Sequence, residues 1–192
     1  MKNTYKNLQE AFLGLSKELA IADEVNSRGS KQKEVLFSKI TIEDPTDINI
    51  RLPARKFSVT YAVAEWLWYL SANPNVVNIG KLANIWNMIS DDNMTVESNY
   101  GTYILPQWSW VKNELLSDND SRRATMVINQ PYHKTKNKKD YPCTQYIQFF
   151  IRKKKLYMSV NMRSNDLIFG FCNDVFTFCL FQQLMLNDLK HA

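Results

Sequence analysis

Cys143 stands behind a proline and just ahead of an apolar run, in YPCTQYIQFF (141–150). Two chemistries suit it: a small buried hydrophobe, as unpaired cysteine often is, or a thiolate nucleophile for covalent catalysis. Glu65, in AVAEWLWYL (62–70), poses a matching choice. A carboxylate between tryptophan and leucine is costly to bury without a partner. It is either an edge or ion-paired residue, or a general acid/base tuned by apolar surroundings. Arginines form a third group: Arg122 and Arg123 in DSRRATMV, Arg163 beside Ser164 in NMRSND, and Arg28 in NSRGS. Each alone reads as a surface residue, but together their forked donors suit a phosphate. No Gly-rich phosphate loop competes with them, since the chain has five glycines and neither a GxGxxG nor a Walker pattern.

Elements must bring these residues together. Leu8, Phe12, Leu15 and Leu19 recur on one helical face. Alternation in EVLFSKITIED (34–44) predicts a strand that PTDIN then breaks. Ser58 caps a helix over 58–71, apolar almost all round and therefore expected to be buried. PQWSWVKNELL (106–116) predicts another helix. ATMVINQ (124–130), TQYIQFFI (144–151) and LYMSVNM (156–162) predict strands, the last two joined by an exposed Lys-rich turn. DVFTFCLFQQLMLNDL (174–189) predicts a closing apolar helix. This order implies an α+β fold with a largely buried sheet.

At 192 residues the chain is expected to form one domain, 1–192. Three cysteines without paired spacing fit a reducing compartment, and with only His133 and His191 available no metal site is expected. The N-terminus MKNTYKNLQE lacks a signal-peptide core and no long apolar run follows, so a cytoplasmic protein without a membrane partner is expected. The net charge of +5 comes largely from HKTKNKKD (133–140) and RKKK (152–155), read as solvated loops. They lack the interleaved aromatics of a polyanion-binding face, which favours a small phosphate ester over nucleic acid.

The blocks EWLWYL, SNYG, DSRR, PCTQYIQF and MRSNDLIFGFCND are similar, in order and rough spacing, to those of the thymidylate synthase and deoxycytidylate hydroxymethylase superfamily. The likeness runs from about Arg28 to Asp174. Its wording is nearer the phage deoxycytidylate hydroxymethylases, with Thr144 after the cysteine where synthases usually carry histidine. The resemblance implies a thymidylate-synthase-like α+β fold, a buried mixed sheet packed by helices. It implies Cys143 as nucleophile, Glu65 as acid/base and Tyr100 in the same network. Trp86 matches an aromatic bordering the co-substrate 5,10-methylenetetrahydrofolate, and Gln148 a glutamine lining the nucleotide site. Arg28, Arg163 and Ser164 match phosphate ligands, and Asp166, beside Asn165, a residue ordering the cavity. Arg122 and Arg123 match arginines that reach the phosphate of the other subunit, implying a homodimer. Cys172 and Cys179 match no functional position and are assigned to packing.

Base choice rests on position 174, where synthases place asparagine and this chain has Asp174. A carboxylate cannot donate to uracil O4 but accepts from cytosine's amine. A one-residue shift would put Asn173 there instead. The chain ends at LNDLKHA, ahead of the His-x-Tyr pair and closing tail of the family, so the resemblance is to a C-terminally shortened form. A compact active variant, a partner-completed site and a silent homologue all fit that ending. The expected function is C5 hydroxymethylation of (d)CMP in a bacterial or phage-infected cell. The alternatives are a thymidylate-synthase-like dUMP methylase and a catalytically silent nucleotide-binding homologue.

Overall fold

The computed structural model describes residues 3–27, 29–134 and 138–192. Arg28 and the centre of the first Lys-rich run lie outside the described residues. In chain order, strand β1 (Thr4–Tyr5), helix α1 (Leu8–Ala20) and strands β2 (Glu24–Ser27), β3 (Ser30–Lys33) and β4 (Thr41–Ile42) come first. Helices α2 (Val59–Leu70), α3 (Ile79–Leu82), α4 (Ile85–Ile89) and α5 (Gly101–Ser117) follow. Strands β5 (Thr125–Val127), β6 (Thr144–Arg152) and β7 (Lys155–Met162) precede the closing helix α6 (Phe171–Lys190). The chain divides into two compact units, residues 1–57 with 166–180, and residues 58–165 with 181–192. Among the described residues no helix is long and apolar enough to cross a membrane.

The first unit is organised by α1. Asn7 caps it by accepting from the Glu10 N–H at 2.9 Å, and its amide also donates to Asp47 at 2.7 Å. Leu8, Ala11 and Phe12 face a core shared with Tyr5, Ile50, Phe171 and Cys172, with Leu15 at its margin. The expected helix and its apolar face are therefore present. The strand expected over 34–44 is not. Only Thr41–Ile42 pair, in parallel, with Thr4–Tyr5. Upstream, Phe37 takes a positive φ of 55° and is 99 % exposed, so alternation there serves no sheet face. Strands β2 and β3 pair antiparallel instead, with Gly29 ahead of β3 at φ +77°.

In the second unit, β5, β6 and β7 form an antiparallel sheet in that order. Thr144, Ile147 and Phe149 of β6 are buried, whereas β7 alternates exposed and half-buried positions. The β6–β7 turn consists of Lys153 and Lys154, with φ of 50° and 60°, the positive pair that a two-residue hairpin of this hand requires. Trp108 of α5 packs edge-on against Phe149 and tilted against Phe181, fixing the C-terminal half of α6 within this unit. Helix α2 keeps its Ser58 cap, which accepts from Tyr61 N–H at 3.2 Å. It is not buried all round: Ala62, Glu65 and Tyr69 face inward, while Val59, Val63 and Leu67 lie outside at 38–54 % exposure.

Helix α5 starts at Gly101, five residues ahead of the expected Pro106, which the helix carries internally. The start is set by packing. A Cβ at Gly101 would stand 1.6 Å from the Tyr69 carbonyl oxygen, so only glycine lets α5 approach the end of α2 this closely. Gly101→Ala is expected to destabilise the protein by about 1–3 kcal/mol, because backbone must move. Denaturant unfolding measures this, and an unchanged midpoint would contradict the close approach.

Candidate active site

Glu65 lies on the inward face of α2 with 5 % of its surface exposed. Tyr61, one turn earlier, donates its hydroxyl to Glu65 Oε1 at 2.5 Å. The Trp86 indole N–H donates in turn to the Tyr61 oxygen at 2.9 Å. Trp86, on α4, packs against Trp68 with centroids 4.8 Å apart, and the Trp68 N–H donates to the Asn75 carbonyl at 2.9 Å. An indole thus orients a phenol that orients a buried carboxylate. Tyr100, just ahead of α5, stacks on Tyr69 at 5.2 Å and 10°. Helix α2 therefore gathers three of the candidate residues, Glu65, Trp86 and Tyr100. Tyr61 was missed by sequence reasoning, although a tyrosine four residues before a buried helical glutamate lies on the same face.

Cys143 immediately precedes β6 and is half-buried. Behind it the pairing of β6 with β7 shifts between Thr144 and Tyr146, and the Gln145 carbonyl accepts from Ile128 and Asn129 N–H at 2.9 and 3.0 Å. Such a bulge re-aims the adjoining backbone. Arg163 holds the same stretch: its N–H donates to the Cys143 carbonyl at 2.9 Å. Its guanidinium donates to the carbonyls of Tyr141 at 2.6 Å and Pro142 at 3.3 Å. Arg163 and Ser164 are otherwise exposed. Cys172 and Cys179 are buried, and burial raises both thiols, that of Cys179 to about 12. Both fit the packing role assigned to them.

Gln148, on β6, donates to the Arg122 carbonyl at 2.7 Å. Arg122 and Arg123 are exposed just ahead of β5. Arg123 donates through Nε to Glu114 at 2.9 Å while its side chain stays 73 % exposed. In the other unit, Asp166 accepts from the N–H groups of Ile168 and Phe169 at 2.8 and 2.7 Å and shapes the turn into α6. Asp174 sits in the first turn of α6 with its N–H on the Gly170 carbonyl at 2.9 Å. The Asn173 amide donates to the Phe169 carbonyl at 3.1 Å.

A second polar cluster escaped the sequence reading. The Gln130 N–H donates to His133 Nδ1 at 3.0 Å, so a neutral His133 carries its proton on Nε2, 2.8 Å from the Tyr103 hydroxyl. Tyr103 donates to Glu97 at 3.0 Å, and Glu97 also binds Lys138. His133 is 1 % exposed, and burial lowers its pKa. Nearby, Asp140 is buried and accepts both the N–H and the hydroxyl of Ser98. A cavity of about 600 Å³ opens beside these groups, lined by Tyr103, Tyr132, Glu97 and Asp140 among others. At the described ends of the Lys-rich run 133–140, His133 and Asp140 are buried and hydrogen-bonded, which corrects the reading of the run as a simply solvated loop, while Lys134 and Lys139 remain exposed. Only folding pairs residues 42 positions apart.

The thymidylate synthase family matches residues 23–191 of the chain. The deoxycytidylate 5-hydroxymethyltransferase of Enterobacteria phage T4 is 32 % identical over 161 residues, 78 % of this chain and 63 % of the relative. The deoxyuridylate hydroxymethyltransferase of Delftia phage PhiW-14 is 28 % identical over 94 % of this chain and 55 % of the relative. Among solved structures, thermostable thymidylate synthase A from Bacillus subtilis shares the fold with a TM-score of 0.59 at 22 % identity, covering 70 % of this chain and 53 % of that one. The chain therefore spans less than two thirds of the length of each of these proteins.

Proposed function

The chain belongs to the thymidylate synthase family, and from that premise we propose that it transfers a one-carbon unit to carbon-5 of a pyrimidine nucleoside monophosphate, hydroxymethylating a cytidylate. The observation that carries the reading is the chain from Trp86 through Tyr61 to Glu65, which orients a buried carboxylate with two directed hydrogen bonds. Carbon-5 of a pyrimidine is a weak nucleophile. The Cys143 thiolate adds to carbon-6, pushing electron density to carbon-5, and later leaves when that bond breaks. Glu65 exchanges the protons that this cycle moves on the ring. Tyr100, stacked beside α2, belongs to the same network.

Methylenetetrahydrofolate supplies the one-carbon unit when bound. Trp86, fixed by Tyr61 and Trp68, would border the co-substrate, as the resemblance implies. By the resemblance Arg28, Arg163 and Ser164 would take the phosphate, Gln148 would line the nucleotide, and Asp166 would help order the cavity. Exposure of Arg122 and Arg123 suits their reaching a second copy's phosphate, hence a two-fold homodimer. Mass spectrometry of CMP, dCMP, UMP and dUMP after incubation with methylenetetrahydrofolate tests the proposal. A hydroxymethylated cytidylate is expected. A methylated uridylate with dihydrofolate formed would favour a synthase-like methylase, and nucleotide binding without product would favour a silent homologue.

Relatives of both base preferences exist, so the base is the finer point, and Asp174 is proposed to read it. The spacing from Arg163 and Ser164 favours Asp174 over its neighbour Asn173. Asp174→Asn replaces an acceptor-only group with one acceptor and one donor, matching uracil N3–H and O4. Two altered hydrogen bonds, one charge-assisted, give a swing of roughly 2–4 kcal/mol, or about thirtyfold to a thousandfold in relative preference. Binding titrations with the four nucleotides are expected to show the parent favouring cytidylate and the variant losing that preference. The same ranking in both proteins removes Asp174 as base reader.

A further inference from the structure

Asp140 lies three residues ahead of Cys143, and Ser98 two residues ahead of Tyr100. The Ser98 N–H donates to Asp140 Oδ2 at 2.7 Å and its hydroxyl to Oδ1 at 2.5 Å, with both residues buried. Parallel ties flank this pair. Lys138 binds the Glu97 carboxylate, the Lys139 N–H donates to Asp91 at 3.1 Å, and Lys139 Nζ donates to the Ser90 carbonyl at 3.2 Å. On the far side of Cys143, β6 and the Arg163 N–H hold the chain. Only Tyr141 and Pro142 separate the two anchorages. Proline fixes its own φ, and the Arg163 guanidinium holds both carbonyls, so little slack remains between Asp140 and the thiol.

We propose that residues 138–140 form a latch that sets the position of the Cys143 thiol relative to the Tyr100 segment, with Asp140 as its positioning residue. The proposal rests on Cys143 being the nucleophile. Residues 138–140 are thereby a fixed strut. A buried carboxylate that loses a Ser98 donor is costly to leave unsatisfied, so the latch releases rather than stretches.

The test is alkylation of the whole protein with iodoacetamide, each cysteine followed separately by peptide mass spectrometry. Buried Cys172 and Cys179 serve as internal references. Asp140→Asn keeps the volume but sets an amide donor against one Ser98 donor. It is expected to raise the Cys143 rate about tenfold while the two references stay unchanged. Ser98→Ala is expected to move Cys143 the same way by less, and Ser98→Thr, which keeps the hydroxyl, to restore the parental rate. An unchanged or slower Cys143, or a parallel rise at all three thiols, overturns the proposal. In nucleotide turnover, Asp140→Asn is expected to lower kcat by about tenfold or more with KM little changed. If the thiol pattern appears in a protein that turns over no nucleotide, the latch stands and the functional reading fails. If the parent turns over nucleotide and Asp140→Asn alters neither kcat nor thiol rate, the functional reading stands and the latch fails.

Discussion

Cys143→Ser is expected to reduce turnover to less than about a thousandth of the parental rate, while leaving nucleotide affinity within about tenfold. The two expectations have separate causes. Oxygen in place of sulfur keeps the shape of the side chain, and the backbone at 143 is held independently by the Arg163 N–H and the bulge behind it. The phosphate and base contacts proposed for binding use other residues. Addition to carbon-6 instead depends on the nucleophile. A few per cent of an ordinary thiol is ionised at neutral pH, whereas a serine hydroxyl is essentially un-ionised. Isothermal titration with dCMP and a turnover assay on the same preparation separate these quantities. Substantial turnover by the serine variant would remove the covalent mechanism.

Glu65→Gln is expected to lower turnover by about 10²–10⁴-fold, the range over which a positioned acid/base contributes. Glutamine has the same reach, and its carbonyl oxygen can still accept from Tyr61, so the hydrogen-bond chain from Trp86 survives and α2 stays packed. What is lost is a group able to take up and return a proton. Tyr61→Phe separates orientation from proton transfer, because it keeps the carboxylate and removes its 2.5 Å donor. It is expected to cost less than the glutamine variant. Parental turnover in Glu65→Gln would make the carboxylate structural. A larger loss in Tyr61→Phe than in Glu65→Gln would transfer the role to the phenol.

Much of the scaffold was legible because it is locally encoded. The apolar spacing of α1, the Ser58 cap of α2, the β6–β7 hairpin and the closing helix each follow from side chains within a few residues of one another. The misreadings mark where partners decide. Residues 34–44 alternate as a strand should, yet only Thr41–Ile42 have a strand to pair with. Strands β2 and β3 have no buried position to announce them. Helix α5 starts where Gly101 can lie against the Tyr69 carbonyl, and Pro106 is carried inside it.

The candidate site divides the same way. Residue types were enough to raise Cys143, Glu65 and the arginines, because a thiol, a carboxylate in an apolar helix and forked cations have chemistry of their own, whereas Tyr100, Trp86 and Asp174 came only from the resemblance of the sequence blocks. Their partners were not legible. Tyr61 under Glu65 needed the two to share an inward face, and Trp86 reaches Tyr61 from 25 residues away. The Asp140–Ser98 and His133–Tyr103 pairs join segments 42 and 30 residues apart. The sequence by itself determined which reactive groups the protein has and which local elements carry them. Only the tertiary structure decided which donor faces which acceptor, because a hydrogen bond depends on distances of a few tenths of an ångström that long-range packing alone sets.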